Sequence, residues 1–345
     1  MSCPDCGDPH NGPYNQWNRR EFLTVAGAAG LGLTAGLNTA LPGAAPKPTS
    51  ETVVKQLHES LSAEQKSKVA FVYDHPLRSK VDPNWHITPV KIGEFFNADQ
   101  RAMIGEIFTG LHNPEFVENV YRHIKEDGGT LDDYAIALFG QPGSGHFEFV
   151  LTGRHCTVRC DGDSSPGVAF GGPFFYGHAS GGFNEKPDHP GNVYWYQAKR
   201  ANEVFHSLSG AQRQAALLSD PRAERGAETV ALLNPGSGAK AAGLPVSEMS
   251  RDQKKLVENV LADLLLPFRR QDADEAMKHI RATGGVDSMS MSFYQNLDIG
   301  NDGVWDVWQL ESQSMVWYFR GFPHVHVWAR VQSRPEGQAA AGQRA

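Results

Sequence analysis

The sequence predicts an α+β fold: a mostly antiparallel sheet with helices packed on one face. Three observations predict it. A helix-opening pattern recurs as Ser62-Ala-Glu-Gln65, Asn97-Ala-Asp-Gln100, Ser209-Gly-Ala-Gln212 and Ser250-Arg-Asp-Gln253. In each, a capping side chain is followed three residues later by a Gln that can bond back to a free backbone amide. Segments of alternating apolar and polar residues fall into two clusters. The turns between neighbouring segments are too short for a crossover, so the strands must pair antiparallel.

In chain order, residues 1–45 read as an export address. Asn18-Arg19-Arg20-Glu21-Phe22-Leu23 precedes an apolar run, Val25–Leu41, rich in Gly and Ala, with small residues at Ala40–Ala45. This resembles a twin-arginine signal and predicts a periplasmic or secreted protein. The run is short and weakly apolar for a membrane span, so no stable membrane insertion is expected. Residues 46–50 are a linker, 51–331 a single α+β domain and 332–345 a disordered Gln/Ala/Gly-rich tail.

Helices are expected at Thr52–Tyr73, Ala98–Leu111, Glu115–Glu126, Val193–Leu208, Ala211–Leu218 and Arg251–Arg281, the last broken near Pro267. The first strand cluster is Tyr134–Phe139, His146–Leu151, His155–Cys160 and Val168–Phe170. The second is Met289–Gln295, Val304–Leu310, Met315–Arg320 and His324–Val331. Between them Gly162–Pro190, rich in Gly, Pro and aromatics, reads as a pocket-forming loop. The irregular spacing of the four helix openings gives no sign of a solenoid repeat.

Net charge is −7 and no basic run occurs, which argues against nucleic acid or an anionic membrane as partner. A small-molecule or peptide substrate fits better. Cys3 and Cys6 would leave with the signal. Cys156 and Cys160, four apart on one strand, are separated by about 13 Å, too far for a disulfide.

The chemistry concentrates on alternating strands. In Gly321–Val331 (GFPHVHVWARV) His324, His326 and Trp328 share one face and Val325, Val327 and Ala329 the other. His146 and Glu148 share a face of their strand, and His155 opens the next one. With Phe, Leu and Val packed on helices, the imidazoles should line a cleft. Imidazole ligates zinc, copper and iron, and three protein nitrogens with an open position describe a catalytic site. The candidate ligands are His155, His324 and His326, with His178 or His146 as a further one. Glu148 or Glu311 would be a general base, a ligand or an anchor for an imidazole. Met289 and Met291 are core filler or soft ligands for Cu(I). Gly143-Ser144-Gly145 and Gly236-Ser-Gly-Ala-Lys240 lack the spacing of a nucleophile elbow or a P-loop.

These residues bring out a resemblance. Gly153-Arg154-His155-Cys156, the glycine-rich Phe170–Ser180, the helix end Ser207–Arg213, and His324-Val325-His326 followed by Arg330 are similar to the bacterial domain-of-unknown-function family 3500. The similarity spans Glu51–Val331 and carries over only to His155, His324 and His326. Arg154 stands where the family often has a second histidine, which leaves room for His146 or His178 as a compensating ligand. No settled activity comes with the resemblance.

The sequence thus predicts an exported metal-dependent enzyme whose zinc or copper ion activates water or dioxygen. The alternatives are a periplasmic metal-binding or trafficking protein without turnover, and a metal-free ligand-binding domain built on Trp305, Trp308, Trp317 and Trp328.

Overall fold

A computed structural model describes residues 49–179, 192–224, 242–298 and 303–333. These belong to one compact unit that starts at Pro48. The proposed export signal and the C-terminal tail beyond Ser333 lie outside the described residues. Among the described residues no helix is long and apolar enough to cross a membrane.

The helices are α1 (Ser50–Ser60), α2 (Ala63–Val69), α3 (Ile92–Phe95), α4 (Ala98–Gly110), α5 (Val117–Glu126), α6 (Trp195–Ser207), α7 (Gly210–Ala216), α8 (Arg251–Leu265) and α9 (Arg270–Ala282). The strands are β1 (Ala70–Phe71), β2 (Ala135–Gly140), β3 (Phe147–Gly153), β4 (Cys156–Cys160), β5 (Phe174–His178), β6 (Leu217–Leu218), β7 (Leu244–Pro245), β8 (Ser290–Tyr294), β9 (Val307–Glu311), β10 (Met315–Arg320) and β11 (Val325–Val331). All four helix openings are capping boxes, at Ser62, Asn97, Ser209 and Ser250.

The strands form a single sheet in the order β1-β2-β3-β4-β5-β11-β10-β9-β8-β6, with β7 also on β8. Among the described residues only β1 on β2 and β6 on β8 run parallel. The α+β reading and the antiparallel sheet are therefore as the sequence predicts.

Several elements differ. The single helix expected over Thr52–Tyr73 is two, because the Ser62 capping box starts a second helix one residue after Leu61 caps the first. Pro267 likewise separates α8 from α9. The strand expected at Val168–Phe170 is a 3-10 turn at Ala169–Gly171, where Phe170 has φ 57°. The strand is Phe174–His178 instead, inside the stretch read as a loop. It pairs with both β4 and β11, and so joins the two strand clusters.

One face of the sheet packs Leu138, Phe149, Leu151, Val158, Phe174, Trp308, Trp317 and Val327 against the helices in the main core. The other face is not an open cleft. Ala137, Phe139 and Val150 are covered by Leu77, Trp85 and Ile87. Phe175, Tyr318 and Trp328 pack with Val81 and Leu218. Trp308, Trp317 and Trp328 are fully buried core residues. An aromatic binding surface made from them would need them exposed.

Cys156 and Cys160 are buried free thiols on the helix-facing side of β4. Burial pushes the Cys156 thiol well above its usual range.

Candidate metal centre

His155 occupies the second position of a two-residue connection between β3 and β4, with Gly153 paired to Cys156. Its φ of 54° is left-handed, a conformation that costs a non-glycine residue about 1–2 kcal/mol. Three hydrogen bonds hold the turn: His155 N to Pro83 O at 2.8 Å, Gly177 N to His155 O at 3.2 Å, and Tyr134 OH to Arg154 O at 2.8 Å. His324 and His326 come from the start of β11, on the face opposite Val325 and Val327. His326 stands opposite Gly177 of β5. A Cβ on Gly177 would lie 2.4 Å from Val325 O and 3.4 Å from the His155 ring, so the close approach of His155 requires glycine there.

The three rings turn their Nε2 atoms toward one another. His155 Nε2 is 3.1 Å from His324 Nε2, which is 2.8 Å from His326 Nε2. All three ligand atoms lie within 4.8 Å of one another and could hold a metal ion. Tetrahedral Zn–N bonds of 2.0–2.1 Å would set nitrogen–nitrogen separations of about 3.3 Å, which these contacts approach. The residues are buried, with exposures of 4%, 4% and 8% for His155, His324 and His326.

Two carboxylates fix the outer nitrogens. His155 Nδ1 lies 2.6 Å from Asp127 Oδ2, and Asp127 Oδ1 accepts from Ala179 N at 2.9 Å. His326 Nδ1 lies 2.7 Å from Glu224 Oε2, whose other oxygen accepts from Arg320 Nε. With Nδ1–H given to a carboxylate, a neutral imidazole presents a lone pair at Nε2. Nε2 of both His155 and His326 faces Nε2 of His324, which can carry only one proton. One of the two contacts therefore lacks a hydrogen, and a shared cation would satisfy the whole set.

The electrostatics agree. Burial, then the neighbouring His326 and His155, push His324 down to about 2. Burial lowers His326 to about 4 against the opposing pull of Glu224. Burial works to raise the Glu224 carboxyl, but the His326 bond and the Arg320 charge outweigh it and hold it at about 2. Asp127 is likewise lowered, because its bond to His155 outweighs burial. His324 and His326 are thus held as neutral imidazoles beside ionised carboxylates, the protonation state that metal binding needs.

The other candidate residues do not join this group. Glu148 is fully buried, 2.5 Å from Arg159 Nη1 and 2.9 Å from Arg78 Nη1. Arg159 also donates to Pro173 O, Arg78 O and Lys80 O. This network pins the segment at Arg78–Lys80 onto the sheet, so Glu148 is a structural ion-pair partner. Glu311 pairs with Arg222 at 2.5 Å and accepts from Gln309 at 2.6 Å. His146 is exposed and meets the Tyr73 ring edge-on. His178 is on the helix-facing side of β5, where its Nε2 lies 3.0 Å from Glu126 Oε2 and its ring 5.8 Å from that of His123. Met289 and Met291 are in the main core.

Asp127 and Glu224 were invisible in the sequence as site residues. Their histidine partners are 28 and 102 residues away, and neither carboxylate lies in a motif. Only Gly128-Gly129, which ends the helix after Asp127, hints at a constrained position.

A family described as a protein of unknown function (DUF3500) matches residues 44–315. No curated protein and no solved structure matches the chain.

Proposed function

The chain belongs to this family of unknown function, and from that premise we propose that it is an exported metal-dependent enzyme whose ion, zinc or copper, is held by His155, His324 and His326. One observation carries the reading: three imidazoles converge through Nε2 while carboxylates fix two of them from behind. Imidazole suits both metals. An ion with three protein nitrogens and a free position supplies Lewis acidity toward water or dioxygen. Asp127 and Glu224 fix the tautomer and ring orientation and increase the basicity of Nε2. Arg320 in turn holds Glu224 ionised. Three protein ligands leave a tetrahedral ion one further position, where a small-molecule or peptide substrate would bind.

The export route is supported by Asn18-Arg19-Arg20-Glu21-Phe22-Leu23 ahead of the apolar run. Replacing both arginines by lysine should leave the protein in the cytoplasm.

A second reading, a metal carrier without turnover, is favoured by the burial of all three ligands. Cobalt substitution separates the two. Azide added to the cobalt form should shift its visible spectrum if a position is open. An unchanged spectrum would favour the carrier.

A further inference from the structure

The four capping boxes do more than open helices. Gln65 and Gln100 exchange side-chain amide hydrogen bonds at 2.8 and 3.0 Å, and Gln212 and Gln253 do the same at 3.2 and 3.0 Å. Gln65 also donates to Phe95 O and Gln100 to Ser60 O. Gln212 donates to Glu248 O and Gln253 to Ser207 O. A capping box needs only its own glutamine, so this second layer of bonding is a tertiary unit that occurs twice.

The sheet repeats in the same way. Each half opens with a two-residue strand running parallel to its neighbour, β1 on β2 and β6 on β8, and continues through antiparallel strands. The strand order therefore reads alike from both ends and meets at the β5–β11 pair, where Phe174 faces Ala329. The end of α5 and the turn after it read His123-Ile-Lys-Glu-Asp-Gly-Gly129, and the end of α9 and the turn after it His279-Ile-Arg-Ala-Thr-Gly-Gly285. The connection Gly153–Cys156 between β3 and β4 corresponds to Ser312–Met315 between β9 and β10. Gly177 N donates to His155 O, and Gln332 N to Ser314 O.

We infer that the chain is two copies of one unit related by a local twofold axis at Phe174 and Ala329, and that the candidate metal position has a mate that has lost its ligands. Where Asp127 holds His155, Thr283 Oγ1 meets Ser314 Oγ at 2.6 Å. Where His326 faces Gly177, Val168 faces Gln332. The mate holds α9 to the sheet through two hydroxyls and offers no imidazole. The chain thus takes one ion, ligated by both copies: His155 from the first, His324 and His326 from the second. This last consequence rests on the metal reading above; the duplication does not.

The test combines a double-mutant cycle with metal counting in the full chain. Thr283→Asp and Ser314→His should each lower the melting temperature. The double variant should melt higher than the two losses combined would allow, because it recreates the Asp127–His155 contact. By native mass spectrometry with Ni²⁺, wild type should carry one ion. Adding Val168→His to the double variant should admit a second ion, at least tenfold weaker because it has two imidazoles. Strict additivity in the cycle together with no second ion would overturn the duplicated-site inference. If that triple variant does not fold, additivity in the cycle alone decides against it. Coupling in the cycle with no ion on wild type would leave the duplication standing and sink the metal reading.

Discussion

Asp127 Oδ2 lies 2.6 Å from His155 Nδ1, and the other Asp127 oxygen accepts from Ala179 N. One carboxylate therefore ties the end of α5 to the β3–β4 turn and to the end of β5, and aims His155 Nε2 at His324. Asp127→Asn keeps the size and one acceptor but weakens the hold on the Nδ1 proton. We predict a 10–100-fold loss of metal affinity with the fold retained, measured by competition with a chromophoric chelator. Unchanged affinity would mean that the carboxylate has no part in ligation.

The glycine opposite His326 gives a steric prediction. A methyl on Gly177 would sit 2.4 Å from Val325 O, so β5 and β11 must separate or His155 must withdraw. Gly177→Ala should destabilise the fold by about 1–3 kcal/mol, the usual overpacking cost, and reduce metal occupancy in the same sample. Chemical denaturation and elemental analysis read the two effects. A stable variant with full occupancy would show that the strands accommodate the methyl without moving the ligand.

Asp161 is mostly buried and its carboxyl is raised from 3.8 to about 7, with burial as the main cause and nearby Glu148 and Glu275 adding to it. The native state therefore keeps this proton where the unfolded chain has lost it, and stability falls as pH rises from about 4 to 7. Three units at 1.36 kcal/mol each set a ceiling of about 4 kcal/mol. Asp161→Asn still offers an acceptor to Ser165 N, which the carboxylate accepts from at 3.0 Å. The variant should melt higher than wild type at pH 8 and about equally at pH 4. A variant less stable than wild type at pH 8 would contradict the assignment.

Much of this architecture is legible in the sequence because its signals are local. A capping box needs four residues, and all four helix starts can be read from such windows. Alternation on β3, β4 and β11 places His324 and His326 together and opposite Val325, as the sheet shows. Signals that depend on the far side of the molecule are not legible. The Phe174–His178 strand lies among glycines and is stabilised by β4 and β11, so its aromatic run alone suggests a loop. The same holds for the second face of the sheet. Alternation marks it as polar on β3 and β4, but residues 77–87 cover it and Arg78 and Arg159 neutralise Glu148. An unpaired strand carboxylate and a buried ion-pair carboxylate look identical in sequence.

We propose that the three histidines hold one ion. Metal content and thermal stability of His324→Ala beside wild type and Val325→Ala, purified without chelator and loaded with Zn²⁺ or Cu²⁺, test it most directly. Wild type should carry one ion per chain and gain melting temperature on loading, since an ion bound only by the folded state stabilises it. His324→Ala should lose both the ion and the gain. Val325→Ala, on the opposite face, should keep the ion while losing stability through packing. A wild type that takes up neither metal, or a His324→Ala variant with full stoichiometry, would contradict the account.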